Sequence, residues 1–590
     1  MRFDINEETG NPGDLSKLLE HLKGGRIRAS PIVGSSEVCV FAAADVDGLC
    51  SARILSGLLK AESIRYELGT VRGYEELLAK LRVVPDSGAA ILLNCGALID
   101  LTEHSRRGVT LYVLDSHRPV HHRNFHAPGI FVFDDDLAHE EPPGSNLSAS
   151  PIRKRQRGLE DEFDEEDPSF SEEEEDTPFR EYYRSNYYTT PAALTMYQLA
   201  LATQKHSEYY LWLACVGLTF YYENGLLNET DFLALAHDLD QKYMAEWADE
   251  DDSKRKGSIT FQEELGLALY RHCSLHQAVS HSAYVFGKLE LNRDTGKRQL
   301  QQLLALAGIP PDEYNQMFAS MTLPMRAKLR GGSSSRFAAA CRAFGLDEVN
   351  HHEFSRSTRL GDEENPSLMV HELCASDLVH AVTCALEDLG SASGAFDMLS
   401  GEGSASELRK GIVQALDWRK AVCAQVKMIL DRRSGRIRDN IRFIRIERPV
   451  NIIFGTSVPA LRQLGRYLAT VYKHRGGSDR YRRIPLIMAV RNSTLGRYIC
   501  VGINQEELRS DFHQRFKTAN QLSGVRVDFD SLDPSVVEVG AADFDKWVQA
   551  LFALRDQDTL DGEFDSEESQ DEPEASGRLN EEHIPEFDGV

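Results

Sequence analysis

Five polar residues near the start of the chain are of the kinds that hold divalent cations or phosphate: Asp45, Asp47, Asn94, Asp115 and His117. Each lies just past an apolar run. Val38-Cys39-Val40-Phe41-Ala42 leads into Ala43-Ala44-Asp45-Val46-Asp47-Gly48, Ala89 to Leu93 into Asn94-Cys95-Gly96, and Tyr112-Val113-Leu114 into Asp115-Ser116-His117-Arg118-Pro119. Such runs predict buried parallel strands, and open parallel sheets bind ligands beyond the carboxyl ends of their strands. The five side chains are therefore expected to meet in one crevice. A pair of cations needs several oxygen or imidazole ligands and carboxylates to bridge them. Three Asp, one His and a neutral amide compensate two dications poorly. Two readings stay open: a one-metal or metal-free phosphate site, or acids that cap the helix opening near Gly48. The frequency of carboxylates at helix starts favours the caps.

The elements that would position these residues emerge from periodicity. Gly48 to Lys60 and Gly73 to Leu81 read as helices; Ile64 to Gly69, Ala89 to Asn94, Val109 to Asp115 and Ile130 to Phe133 read as strands. This alternation predicts an α/β fold with a parallel sheet at 1–140. Residues 141–180 are expected to be a disordered loop. They hold the basic cluster Arg153-Lys154-Arg155-Gln156-Arg157, read as a nuclear localisation signal or a solvated charge run, and then an acidic stretch. Residues 181–330 read as a helical region with an interaction insert. Its apolar stripe, Met317, Phe318, Met321, Leu323, Met325 and Leu329, reads as core before partner groove. Residues 331–404 read as a helical connector that ends in a Gly/Ser-rich linker, Leu389 to Ser404. A smaller C-terminal α/β domain is expected at 405–555. It has a helix from Glu407 to Arg433, strands at Val450–Phe454, Pro485–Val490, Tyr498–Ile503 and Val536–Val539, and a closing helix from Phe544 to Leu554. Residues 556–590 form an acidic tail expected to be disordered.

In their order and spacing these motifs resemble the DHH phosphoesterase superfamily, which includes the RecJ single-strand exonucleases, and within it the eukaryotic cell division control protein 45 family. The resemblance continues in Asp100-Leu101, in Phe133-Asp134-Asp135-Asp136-Leu137, in Leu211 to Thr219 and in Ala375 to Val379, and covers roughly residues 35–555. Asp45, Asp47, Asp115 and His117 keep the pattern. An active relative is expected to carry Asp at Ala43, Asp at Asn94, a second His at Ser116 and a further Asp near Leu218. The resemblance thus implies a DHH-like first domain with a degenerate site, and a DHHA1-like C-terminal domain. It implies no catalytic residue, no bound metal and no cofactor. The glycine-rich turn with which active relatives hold substrate is not evident; only Gly496 and Gly502 flank the corresponding strand.

The same resemblance implies that the chain would be a scaffold subunit of the replicative helicase in the nucleus. Its implied partners are the MCM ring, the GINS complex, the replicative polymerase and initiation factors, and single-stranded DNA at the fork. The alternative is a manganese-dependent single-strand phosphoesterase that uses Asp45, Asp47, Asp115 and His117. No G-x-x-x-x-G-K-[ST] phosphate loop occurs, so ATP hydrolysis is assigned to a partner.

Charge supports a localised rather than a general interaction. The net charge is −26. Twelve acids without a base in 160–176, and fourteen acids against Arg578 in 556–590, account for all but one unit of it. The remaining body is near neutral and leaves room for a basic groove. The candidate single-strand site is Arg433, Arg436, Arg438, Arg442, Lys473, Arg475, Arg482 and Arg483, beside Tyr472 and Tyr481. The alternative is a solvated face whose arginines pair with partner proteins. Ten scattered Cys with no C-x-x-C pair read as small buried hydrophobes. The polar start, Met1-Arg2-Phe3-Asp4, and the lack of an eighteen-residue apolar run lead us to expect a soluble intracellular protein without a membrane anchor.

Overall fold

The computed structural model describes residues 2–4, 18–20, 22, 38–86, 88–106, 108–134, 181–247, 257–329, 334–359, 370–387, 392–400, 405–476, 479–505 and 508–553. The expected loop at 141–180 and the acidic tail at 556–590 lie outside the described residues.

The first sheet is wholly parallel. Strands β1 (Arg2–Asp4), β2 (Val38–Ala43), β3 (Tyr66–Val71), β4 (Ala89–Leu93), β5 (Thr110–Leu114) and β7 (Ile130–Asp134) lie in the order β1-β7-β5-β4-β2-β3. Every residue of β2 and β4 is buried, which is why these strands read as unbroken apolar runs. Val38, Val40 and Ala42 face one core, and Cys39, Phe41 and Ala43 face the other. Helix α1 (Val46–Ala61) covers the first face together with α3 (Ala192–Ala202) and α4 (Glu208–Glu223); α2 (Tyr74–Val83) lies on the second. A two-residue ribbon pairs β6 (His117–Arg118) with β8 (Tyr187–Tyr188) beside the sheet.

Two expectations fail in the middle of the chain. The helical region expected at 181–330 and the helical connector expected at 331–404 share a three-stranded antiparallel sheet, with β10 (Asn350–Arg359) between β9 (Gly257–Leu265) and β11 (Val370–Cys374). Its strands are rich in Glu, His, Ser and Arg, so their alternation does not stand out as apolar and polar. The linker expected at 389–404 contains a helix, Ala392–Met398, held by Ala395 and Leu399 against the first core. Helix α5 (Ala375–Glu387) comes directly after β11.

The C-terminal unit carries a second six-stranded sheet, β12-β13-β14-β15-β17-β16. Its strands are β12 (Gly435–Arg438), β13 (Ile441–Ile446), β14 (Leu486–Asn492), β15 (Arg497–Ile503), β16 (Val527–Asp528) and β17 (Val536–Gly540). Only β13 and β14 pair in parallel. The long helix α6 (Ala405–Asp431) precedes it, α7 (Val458–His474) packs on one face, and α8 (Phe512–Ser523) and α9 (Phe544–Leu551) pack on the other. The strand expected at Val450–Phe454 is instead a 3-10 turn at Ile452–Gly455. The true strand, β13, is hidden in the arginine run, where Ile441, Ile444 and Ile446 carry the core contacts. Asp439 and Asn440, both at positive φ, make the tight turn from β12.

The two sheets are stapled together. Asp530 of the C-terminal unit accepts from the first backbone amides of α2: its carbonyl takes Tyr74 N at 2.9 Å and its carboxylate takes Glu75 N at 2.5 Å. Asn186 and Ser510 exchange a pair of backbone hydrogen bonds, each 2.7 Å. Gly48 is fixed by packing, since a Cβ there would lie 2.4 Å from the Ala43 carbonyl oxygen. Gly48→Ala is therefore expected to destabilise the chain by about 1–3 kcal/mol, read as a lower urea midpoint; an unchanged midpoint would refute the close approach of α1 to β2.

Candidate functional site

Strand order reverses between β2 and β4, the point at which an open parallel sheet leaves a crevice. Asp45 comes just after β2 and Asn94 just after β4, and their side chains join across the gap, Asn94 Nδ2 donating to Asp45 Oδ2 at 2.9 Å. Asp45 is also the N-cap of α1, where its Oδ1 accepts from Gly48 N at 2.7 Å. Asn94 holds a left-handed φ of 54°, a conformation Asn tolerates better than most residues. Its Oδ1 accepts from Ser116 Oγ at 2.8 Å and from the Tyr221 hydroxyl at 3.1 Å, and Ser116 Oγ also bonds Tyr221.

Asp47 does something the sequence did not reveal. It is fully buried and caps a second helix 145 residues away: Oδ2 accepts from Ala192 N at 2.8 Å and Oδ1 from Ala193 N at 2.9 Å, at the start of α3. Gly217 of α4 closes over it, where a Cβ would fall 2.8 Å from Asp47 Oδ1. Leu218, near which the resemblance expects a further acid, is buried in the core.

Asp115 and His117 form a closed pair. Asp115 Oδ1 meets His117 Nδ1 at 2.6 Å and accepts from His117 N at 3.1 Å; Oδ2 accepts from Ala97 N at 2.8 Å. Burial alone would raise the Asp115 carboxyl, but the facing His117 ring and the three donors hold it below its usual value. Burial works against the His117 cation, yet Asp115 and then Asp45 keep the ring above its ordinary value. Arg118 Nη1 donates to the carbonyls of Asp115 (2.6 Å) and His117 (2.9 Å) and fixes this turn.

All five candidates thus lie in one region, but as a bonded framework. Every oxygen of the three carboxylates already accepts a protein hydrogen bond. Among the described residues no group of three or more His, Cys, Asp or Glu is placed to hold a metal ion. As bonded here the residues do not fit a pair of divalent cations; Asp45 caps the helix it was expected to cap, whereas Asp47, expected to cap that same helix, caps α3 instead.

A cavity of about 550 Å³ opens from Asp45, Asn94 and His117 towards α7 of the C-terminal unit. Residues that sequence reasoning passed over line it, among them Tyr188, Tyr221, Arg462 and Arg466. Arg462 pairs with Asp533. Arg466 is pushed down to about 10 by burial and then by the Arg462 charge. Only the spacing of these arginines, four apart on one helix face, marked them.

The basic candidates divide. Arg442 is 2 % exposed; its guanidinium lies 3.6 Å from the Tyr472 ring centroid and donates to the Tyr481 carbonyl at 3.0 Å. This corrects the expectation that Arg442 and Tyr472 present a phosphate contact and a stacking base platform, because each buries the other. Arg475 is tied to Glu290 at 3.2 Å. Arg482 is half-buried. Arg433, Arg436, Arg438, Lys473 and Arg483 are exposed. The apolar stripe also divides: Phe318, Met321 and Leu329 are core, whereas Met317 and Leu323 are 51 % and 75 % exposed.

Burial, followed by the charge of Asp45, raises the Asp47 carboxyl to about 7. Folded Asp47 then holds more proton than unfolded Asp47 between about pH 4 and its folded value, so its contribution to stability falls as pH rises through that window. Melting temperature is expected to drop from pH 5 to pH 8 with a steeper slope in the wild type than in Asp47→Asn. Equal slopes would show that Asp47 ionises as an exposed acid does.

The comparisons with known proteins cover the same ground. A family model described as CDC45 matches residues 38–180, 138–394 and 390–553. The cell division control protein 45 homolog of Mus musculus is 27% identical over 573 residues, which span 88% of this chain and 97% of that protein. The Homo sapiens homolog is 26% identical over 570 residues, 89% of this chain and 98% of that protein. A crystal structure of CDC45 from Entamoeba histolytica covers 94% of this chain and 99% of its own at a TM-score of 0.65 and 17% identity, a likeness of fold. With nearly all of the described sheets and helices inside the matched residues, the chain belongs to the CDC45 family.

Proposed function

We propose that this chain acts in DNA replication as a non-catalytic scaffold subunit of the replicative helicase. It joins the MCM ring and the GINS complex in the nucleus, meets the replicative polymerase and initiation factors there, and contacts single-stranded DNA at the fork. Family membership supports the replication role. The observation that carries the non-catalytic reading is the use of Asp45, Asp47 and Asp115 as caps and clamps: each carboxylate is spent on backbone amides, on Asn94 or on His117. Converting the crevice to a two-cation centre would uncap α1 and α3, at a cost of about 0.5–2 kcal/mol for each cap. No helix among the described residues is long and apolar enough to cross a membrane.

The division proposed is a DHH-like unit at 1–140, a helical region at 181–330, a connector at 331–404 and a DHHA1-like unit at 405–555, with charged segments at 141–180 and 556–590. Weak single-strand contact is assigned to the exposed cations Arg433, Arg436, Arg438, Lys473 and Arg483 rather than to Arg442 or Arg475.

Two measurements test this reading. A 5′-labelled single-stranded oligonucleotide incubated with excess protein and Mn²⁺ is expected to remain intact; cleavage that disappears in His117→Ala would overturn it. Arg436→Glu with Arg438→Glu is expected to flatten the log affinity against log salt slope by about 1.4, two phosphate contacts on a single strand. An unchanged slope would remove these residues from the DNA path.

A further inference from the structure

We propose that the chain's own acidic C-terminal segment, Asp561–Glu567, adds a strand to the open edge of the second sheet along β12. Among the described residues β12 pairs on one side only, with β13, which makes it an edge strand of this sheet. Its side chains sort by face. Arg436 stands opposite Phe443 and Arg438 opposite Ile441, on the face that α9 covers; Ile437 stands opposite Arg442 on the other face. Arg436 and Arg438 are exposed, Arg432 and Arg433 lie just before them, and Ile437 is 37 % exposed. Arg432, Arg433 and Arg436 make no ion pair among the described residues, and the one carboxylate near Arg438 is Asp439 at 3.8 Å.

The described chain ends beside this edge. After α9, the Phe552 ring lies 5.3 Å from the Arg438 guanidinium and 5.6 Å from the Phe443 ring, and the last described residue is Ala553. A short way further along the sequence stands Asp561-Gly562-Glu563-Phe564-Asp565-Ser566-Glu567. The acids of this segment fall at every second position. In an extended strand they would all point to one face, with Phe564 on the other. That pattern is the complement of β12, which has arginines on one face and Ile437 on the other. The residues between Ala553 and Asp561 reach at most about 26–29 Å, enough to turn back onto the edge. Tethering favours this segment over any free acidic peptide, since a short linker sets an effective concentration of about millimolar. The added strand would cover the edge and compete with single-stranded nucleic acid for Arg436 and Arg438, so that tail and polyanion occupy these arginines in turn. This inference does not depend on the helicase reading.

Hydrogen exchange of the full chain at low salt tests it. The wild type is compared with a variant carrying Asp561→Asn, Glu563→Gln, Asp565→Asn and Glu567→Gln. The outward amides of β12 are expected to exchange about tenfold faster in the variant, while β14 is unchanged as the control for folding. Arg436→Glu with Arg438→Glu should release the segment in the same way, and Lys at the four tail positions should restore protection in that background. Equal β12 exchange in wild type and neutralised tail would overturn the proposal. Protection lost on dilution would assign the strand to a second copy and would also overturn it.

Discussion

The Asp47 carboxylate, accepting both leading amides of α3, is the contact on which the N-terminal half depends. It ties the first turn of α1 to a helix that begins 145 residues later, beyond the charged segment at 141–180, and it does so with a fully buried acid. Two backbone donors and the positive end of a helix offset part of the desolvation, and Asp45 next door works against it. Ala193 and Gly217 are small because the carboxylate and the α3–α4 contact leave no room for anything larger. Once α3 is held there, α4 lies over α1, and Tyr221 reaches Asn94 and Ser116 at the mouth of the sheet.

The site is thus an internal hydrogen-bond frame. Asp45, Asn94, Ser116 and Tyr221 form a chain of donors and acceptors, and Asp115 and His117 neutralise one another beside it. Asn94 and Ser116, where acid or imidazole could stand, keep negative charge out of a low-dielectric crevice in which carboxylates otherwise repel. A neutral amide that donates to one acid and accepts from two hydroxyls satisfies groups that a metal would otherwise have to satisfy.

Much of this was legible in the sequence because it lies in local signals. Strands β2, β4, β5 and β7 were visible as apolar runs, and the convergence of Asp45, Asn94, Asp115 and His117 could be read from strand ends alone. The cap at Asp45 was readable from Gly48 three residues on. The partner of Asp47 was not, because nothing near Ala192 signals an acid from another element. Strand β13 was lost because Arg442 and Arg445 lie over the rings of Tyr472 and Tyr498, so charge masked a strand whose alternate residues are buried. The sheet of β9, β10 and β11 was lost for a similar reason: Glu353 is buried, held by the Ser376 amide at 3.1 Å.

The cap that Asp530 places on α2 has a mechanical consequence. Here any hinge motion must first strip the start of α2 of its acceptors and break the Asn186–Ser510 exchange, in the same step. The halves are latched: neither can swing away from the other without giving up both sets of bonds at once.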